Sequence, residues 1–119
     1  MTEKKPASPS GVVEILTLTL KAGMRDQFRD VYTREALPLL RKWNFRVIAH
    51  GPSQHDDDSY FVIRAFDSLE QRREAEDAYY GSDDWRRGPR AAILSMLEHD
   101  SYVVVPSDTL REWWTLITG

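Results

Sequence analysis

The sequence predicts an α+β domain of the ferredoxin-like type, with the element order β-α-β-β-α-β. Three observations lead to this prediction: four short segments rich in β-branched and aliphatic residues, amphipathic helical segments between them, and one acidic turn that joins the two middle strands. This order gives an antiparallel sheet with the strand order 4-1-3-2 and with both helices on one face. A chain of 119 residues is large enough for one such domain.

The first strand is predicted over the segment VVEILTLTL, from Val12 to Leu20, which ends at Lys-Ala-Gly. A helix is expected from Met24 to Trp43, because apolar residues recur there at spacings of three, four and seven. Pro38 lies inside this pattern and lacks the backbone donor that a regular helix uses. We therefore expect a kink or a break near Pro38.

The second half of the fold begins with a hairpin, formed by the strands Phe45 to Gly51 and Tyr60 to Phe66. Ser68 is expected to cap a helix from about Leu69 to Tyr80. The segment YGSDDW breaks this second helix, which resumes after Pro89. The fourth strand is predicted over SYVVVP.

Three regions are expected along the chain. Residues 1–11 are polar and rich in Pro and Ser, so they are predicted to be a disordered tail. Residues 12–106 form the ferredoxin-like domain. Residues 107–119 carry an apolar stripe that includes Trp113 and Trp114, and they are predicted to form an amphipathic helix that anchors across the end of the domain or onto a partner subunit.

The composition excludes several classes of function. The absence of cysteine excludes disulfides, thiolate chemistry and cysteine zinc sites. A net charge of −3 argues against nucleic acid and anionic membranes as partners. No apolar run approaches the roughly 20 residues of a membrane span. We therefore expect a cytoplasmic protein with no nucleic-acid partner, no membrane span and no cofactor.

Arg64 stands inside the apolar third strand, where a guanidinium must be paired, hydrated or used. Side chains alternate between the two faces of a strand, and the uncharged set is expected under the helices. The uncharged set consists of Phe61, Ile63 and Ala65. The set containing Arg64 is then expected on the open face, where a register that places Glu14 opposite Arg64 predicts a buried ion pair.

This open face is too apolar for water, so a second copy of the chain is expected to cover it. The prediction is a homodimer joined through the sheets, a dimeric α/β barrel, with a pocket inside for a small apolar or aromatic ligand. The residues predicted to line the pocket are Glu14, Leu16, Leu18, Tyr60, Val62, Arg64, Phe66 and Trp85. The Glu14–Arg64 pair has two interpretations, a structural pair that sets the sheet register and a ligand contact.

Three short segments carry a family resemblance. EILTLTLKAG is similar to the pattern Glu-x-Arg-x-Tyr-x-Leu-Lys-Pro-Gly, RAFDSLEQR to Trp-x-Tyr-x-Ser-Leu-x-x-Arg, and SDDWRR to Asp-x-x-Trp. The matching residues are Glu14, Leu20, Lys21, Gly23, Ser68, Leu69, Arg72 and Trp85. Over about residues 12–106 the chain thus resembles the NIPSNAP family, which implies a dimeric α/β barrel and no agreed chemistry. Leu16, Leu18 and Arg64 depart from the family patterns, which implies a rearranged polar lining.

Two functions compete at this stage. The first is that of an uncharacterised NIPSNAP-like protein that binds a small molecule in the barrel pocket. The alternative is a cofactor-independent monooxygenase for an aromatic substrate, with His50 or Glu14 as the base and Arg64 stabilising an enolate or phenolate. Haem binding through His50 or His99 is a third interpretation, without a recognisable motif. The segment HDDDS is interpreted as a solvated turn and not as a metal site, because consecutive carboxylates diverge.

Overall fold

The computed structural model describes residues 11–119, whose four strands form one antiparallel sheet. The strands are β1 (Val12–Leu20), β2 (Arg46–Pro52), β3 (Ser59–Phe66) and β4 (Leu97–Pro106). Their spatial order is β2-β3-β1-β4, which confirms the predicted ferredoxin-like α+β arrangement. The predicted disordered tail lies outside the described residues, apart from Gly11.

The helical elements follow the predicted order, with one addition. They are α1 (Arg25–Val31), a π-helical turn (Tyr32–Ala36), α2 (Leu37–Lys42), α3 (Leu69–Tyr80), α4 (Asp83–Arg87), α5 (Arg90–Met96) and α6 (Ser107–Thr118). The second helix is broken as predicted, but the break itself contains α4, which Ser82 caps by accepting a hydrogen bond from the Trp85 backbone N–H at 3.2 Å. None of the helices within residues 11–119 has the length and apolar character to cross a membrane. The cytoplasmic location stays a prediction.

The predicted register between β1 and β3 is confirmed. Glu14 lies opposite Arg64, Leu16 opposite Val62, and Leu18 opposite Tyr60. Hydrophobic matching along two neighbouring strands was therefore enough to align them, since a shift of one residue would move every side chain to the other face.

The face predicted for Arg64 is wrong. Tyr60, Val62, Arg64 and Phe66 are at most 4% exposed and lie on the helix side of the sheet, where the three apolar members belong to the core that includes Phe28 of α1. The uncharged alternate set, Phe61, Ile63 and Ala65, takes the opposite, outer face and is half-buried. The prediction failed because it treated charge as a sign of an uncovered face, whereas α3 brings polar partners to Arg64.

A π-helical turn stands where the break near Pro38 was expected. The backbone N–H of Leu37 bonds to the carbonyl of Tyr32, five residues back, and α2 starts directly after this turn. Proline cannot donate to the carbonyl four residues earlier, and its ring would clash with that carbonyl. One wider turn before Pro38 lets the chain stay helical through to Lys42.

A bulge in β2 decides the orientation of His50, which the sequence left open. The register with β3 shifts between Val47 and Ala49, so Ile48 is an extra residue and lies 55% exposed. Because of this shift, His50 pairs with Val62 and lies on the helix side.

Candidate ligand-binding site

A cavity of about 230 Å³ lies between the sheet and the helices. Its lining residues are Leu16, Leu18, Phe28, Tyr32, Ala36, Leu40, Val62, Arg64, Tyr79, Tyr80, Trp85, Ile93, Leu94, Leu97 and Asp100. Most of these side chains are apolar, and the polar ones are few, as in typical small-molecule sites. An apolar cavity of about 150 Å³ accepts a benzene ring. The cavity between sheet and helices therefore has room for one ring with a substituent.

Five of the residues predicted to line a pocket line this cavity, namely Leu16, Leu18, Val62, Arg64 and Trp85. Tyr60 and Phe66 are buried in the core on the same side of the sheet, and Glu14 contacts Arg64 directly. The predicted position is corrected: the cavity lies within one chain, between sheet and helices, and not between two sheets. All of the predicted residues except Trp85 belong to one face of β1 and β3, so they stay together when that face is reassigned to the helix side.

A charged cluster, formed by Glu14, Arg64, Arg72 and Glu76, lies at one end of the cavity. Arg64 donates from Nε to Glu14 Oε1 at 2.8 Å and from Nη2 to Glu76 Oε2 at 2.9 Å. Arg72 donates from Nε to Glu14 Oε2 at 2.8 Å. Arg64 and Glu14 are 4% and 2% exposed, so these ion pairs are desolvated and each carboxylate oxygen of Glu14 needs its guanidinium.

The helix α3 supplies half of this cluster because of its residue spacing. Arg72, Glu76 and Tyr80 follow one another at intervals of four, so they lie on one helix face above the sheet. Ser68 fixes the start of the helix, since its hydroxyl accepts a hydrogen bond from the Gln71 backbone N–H at 3.0 Å. The predicted cap is confirmed, and it positions the residues that neutralise Arg64.

The pKa values of the two carboxyl groups in the charged cluster are shifted in opposite directions. Burial raises the pKa of Glu14, but the hydrogen bond with Glu76, the charge of Arg64 and the hydrogen bonds from both arginines outweigh it, so the pKa of Glu14 is lowered. Burial, reinforced by the hydrogen bond and charge of Glu14, raises the pKa of Glu76 to about 7. Glu14 therefore carries the negative charge, and Glu76 is the member that takes up a proton near neutral pH.

Three tyrosines, Tyr32, Tyr79 and Tyr80, line the same cavity. Arg64 donates from Nη1 to the Tyr80 hydroxyl at 2.9 Å. The hydroxyls of Tyr32 and Tyr79 are buried and have no hydrogen-bond partner within residues 11–119. Burial raises the pKa of both phenols, so they stay neutral and keep a proton to donate. A buried hydroxyl without a partner is costly, and such groups call for an explanation.

Tyr80, Leu94 and Asp100 line the cavity and are exposed, so they mark its mouth. Trp85 packs edge-to-face on Tyr80, with ring centroids 5.2 Å apart. Asp84 holds α4 in place by accepting a hydrogen bond from Trp43 Nε1 at 2.9 Å. The mouth is thus framed by aromatic side chains that are fixed by their neighbours.

The candidates for a catalytic base lie outside the cavity lining. His50 Nδ1 is 2.7 Å from the Tyr60 hydroxyl, and burial, with the nearby charges of Arg29 and Arg41, lowers its pKa. Neither His50 nor His99 is among the residues that line the cavity in the described part of the chain. Both oxygens of Glu14 are held by guanidinium groups. Of the three catalytic candidates, the structure brings only Arg64 to the cavity wall.

The sequence prediction missed Glu76 and Tyr32. The spacing of Arg72, Glu76 and Tyr80 was a readable signal, because three polar residues on one helix face next to a strand with a buried charge indicate partners for it. Tyr32 gave no such signal, since its position depends on the π-helical turn.

No protein-family model matches the chain, and no curated protein matches it. Solved structures do. A NIPSNAP-like domain protein from Burkholderia xenovorans aligns with a TM-score of 0.76 at 16% identity, over 82% of this chain and 84% of that chain. A NIPSNAP family protein from Agrobacterium tumefaciens aligns with a TM-score of 0.77 at 12% identity, over 90% of this chain and 93% of that chain.

A more distant structural likeness is to an enzyme. SnoaB, a cofactor-independent oxygenase from Streptomyces nogalater, aligns with a TM-score of 0.58 at 17% identity, over 82% of this chain and 93% of that chain. At these identities the likeness concerns the fold. This chain therefore has the fold of the NIPSNAP family proteins, as its three short motifs predicted.

Proposed function

We propose that this protein binds a small, largely apolar molecule in the cavity between its sheet and its helices, and that it acts as a homodimer. The observation that carries the binding proposal is the cavity itself, about 230 Å³ of mostly apolar space that ends at a buried arginine and at partnerless tyrosine hydroxyls. A core packed only for stability contains few voids larger than a water molecule. The cavity therefore favours a ligand over a purely structural role.

Toluene is a suitable first probe, because it has one ring and no charge. We expect toluene to raise the melting temperature of the wild-type protein, since a ligand that binds only the folded state stabilises it. The substitution Ala36→Leu adds side-chain volume to the cavity wall and should abolish the shift. Ala78→Leu, at an exposed position on α3, is the matched control and should keep the shift.

Leu94→Trp provides a second block, because Leu94 is exposed at the mouth and the substitution does not disturb the core. A shift that persists unchanged in both Ala36→Leu and Leu94→Trp would place toluene elsewhere and overturn the proposal. The absence of any shift in the wild-type protein would do the same.

The homodimer is supported by the apolar outer face of the sheet. Ile15, Phe61 and Ile63 are half-buried there, and Val103 is 52% exposed. Leu110, near the start of α6, lines a second cavity with Val13 and Ala65 of this face. The exposed apolar side chains of α6 are Trp113, Trp114, Leu116 and Ile117. Exposed apolar side chains in this number are typical of an interface.

Sedimentation velocity tests the dimer. The double substitution of Val103→Lys and Trp114→Lys places two charges on exposed positions of this surface and should convert the dimer to a monomer. Leu69→Lys, at a position 60% exposed on α3, is the control and should leave the mass unchanged. A wild-type protein that sediments as a monomer at high concentration would refute the homodimer.

The second candidate is a cofactor-independent monooxygenase acting on an aromatic substrate. It is supported by the fold likeness to SnoaB and by the donors around Arg64, which suit an enolate or phenolate. Oxygen consumption with hydroquinone as the probe distinguishes the two. Consumption above the rate in buffer, reduced in Tyr80→Phe, favours the enzyme; an equal rate with and without protein favours binding alone.

A further inference from the structure

The polar groups around the cavity, apart from Asp100, can all donate a hydrogen bond. Tyr32 and Tyr79 each keep a hydroxyl proton without an acceptor, and Tyr80 accepts from Arg64, so its own proton is free to be donated. Arg64 has one further N–H on Nη1 beyond the hydrogen bond to Tyr80. A ligand that satisfies these groups must bring acceptor oxygens.

The donor residues Tyr32, Tyr79, Tyr80 and Arg64 all line the cavity. The ring centroids of Tyr79 and Tyr80 are 4.9 Å apart, and Arg64 Nη1 donates to the Tyr80 hydroxyl at 2.9 Å. The acid among the lining residues of the described chain is Asp100, which pairs with Leu18 on β1, whereas Arg64 pairs with Glu14. Four residues of strand separate the two positions, about 13 Å at 3.3 Å per residue. Asp100 is therefore displaced along the sheet from Arg64.

The charged cluster behind the donors can carry a positive charge. Glu76 faces Glu14 of β1, Arg64 of β3 and Arg72 of its own helix, and β4 adds the ring of Tyr102 against Arg72. With a proton on Glu76, two guanidinium charges meet the single carboxylate charge of Glu14, and the cluster has a net charge of +1. This surplus is desolvated and is effective against a nearby anion.

We propose that the cavity binds the anion of a small single-ring acid, a carboxylate or a phenolate, with its ring in the apolar part and its oxygen at Arg64 and Tyr80. This proposal rests on the proposed function of small-molecule binding. The anion needs the surplus charge of the cluster, so its binding is coupled to the protonation of Glu76. Above the pKa of Glu76, which is about 7, the protein must take up a proton to bind the anion.

Benzoate and toluene are the matched probes, because both carry one ring and only benzoate carries a charge. Isothermal titration calorimetry at about pH 6 and about pH 8 should show benzoate binding roughly tenfold more weakly at the higher pH, since the affinity falls by up to tenfold per unit above the pKa of Glu76. Benzoate stays ionised over this range, and toluene should bind equally at both pH values.

Two variants locate the effect. Glu76→Gln keeps an acceptor for Arg64 but cannot ionise, so its affinity for benzoate should be the same at both pH values. Tyr80→Phe removes one donor, so it should weaken benzoate severalfold and leave toluene unchanged. Tyr80 is 37% exposed, and its loss of a hydroxyl does not endanger the fold.

The outcomes separate this inference from the proposed function. If toluene binds while benzoate does not, the anion proposal is wrong and the cavity binds neutral molecules. If benzoate binds with an affinity that does not depend on pH, the proposed coupling to the protonation of Glu76 is wrong. If neither probe binds, both proposals fail.

Discussion

Arg64 shows how a single buried charge is tolerated in this fold. All three of its nitrogens have partners: Glu14 accepts from Nε, Glu14 and Glu76 lie at 2.6 and 2.9 Å from Nη2, and Tyr80 accepts from Nη1. Desolvating a guanidinium costs several kcal/mol. Only a complete set of charged partners offsets a cost of this size. The same partners leave little freedom for the side chain, so it presents a fixed edge to the cavity.

The first prediction concerns the removal of that charge. Arg64→Met should lower the free energy of unfolding by about 3–5 kcal/mol, because Glu14 and Glu76 lose a partner in a desolvated site. Urea denaturation measures this loss. Arg46→Met is the matched control, since Arg46 and Asp67 form an ion pair with side chains that are 58% and 72% exposed. The control substitution should lower the free energy of unfolding by less than about 1 kcal/mol.

Equal losses in the two arginine variants would mean that the cluster contributes no more than a surface pair. The cavity would then lack a rigid charged end.

The second prediction concerns the pH dependence of stability. The pKa of Glu76 is raised from 4.5 to about 7 in the folded protein, so the folded state holds its proton more tightly than the unfolded chain. The resulting stabilisation is complete below the unfolded value and is lost as the pH rises through about 7. Relative to Glu76→Gln, the wild-type protein should lose about 1–3 kcal/mol over this range.

Chemical denaturation at a series of pH values measures that difference. Glu74→Gln is the control, because Glu74 is exposed on the same helix, and its profile should parallel that of the wild type. A Glu76→Gln profile parallel to the wild type would show that Glu76 titrates like an exposed carboxylate.

For individual residues, the sequence predicted the contact between Glu14 and Arg64 but not the other residues around this pair. Alternation and register were sufficient to place Glu14 opposite Arg64, since both follow from the period of a strand. The predicted side of the sheet was wrong because the other partners of Arg64 come from α3. Which strand residues a helix contacts depends on how the helix packs on the sheet. A local sequence pattern does not contain this information.

Among the secondary-structure elements, the π-helical turn has the clearest consequence for the cavity. It spans Tyr32–Ala36, and its first and last residues both line the cavity wall. A π-helical turn closes its hydrogen bonds one residue later than an α-helix, so it shifts the side chains before it against those after it. Across this turn, Tyr32, Ala36 and Leu40 of α2 all line the cavity.

The third prediction tests the link between this turn and Pro38. Deleting the exposed Glu35 should restore regular α-helical spacing and force Pro38 into a helix interior, at a cost of about 3 kcal/mol. Combining the deletion with Pro38→Ala should recover most of that loss, because alanine supplies the missing donor. Circular dichroism during urea denaturation measures both variants. If Pro38→Ala recovers nothing, the proline does not cause the wider turn.

The strands show a similar limit of prediction. The bounds of β1 were predicted to the residue, because its apolar run is long and ends at Lys-Ala-Gly. In β2, the bulge at Ile48 reversed the expected alternation, so Arg46 and His50 lie on opposite faces despite their even spacing. An exposed isoleucine in an edge strand carries no local signal that identifies a bulge.

In the whole molecule, the sheet separates two apolar surfaces. The helix side holds the core and the cavity, and the outer side holds the surface proposed for the homodimer. The strand order and the family likeness of the fold were predictable, because they follow from element order and short motifs. The position of the cavity was not, since both faces of β3 are apolar apart from Arg64.

We expect the ligand site to lie under the helices and not on the outer face of the sheet. Titration of the ¹⁵N- and ¹³C-methyl-labelled protein with toluene, followed by NMR, tests it most directly. We expect chemical-shift changes that centre on Leu16, Leu18 and Ala36, with Ile15 and Ile63 unaffected. Changes that centre on Ile15 and Ile63, or no changes at saturating toluene, would contradict it.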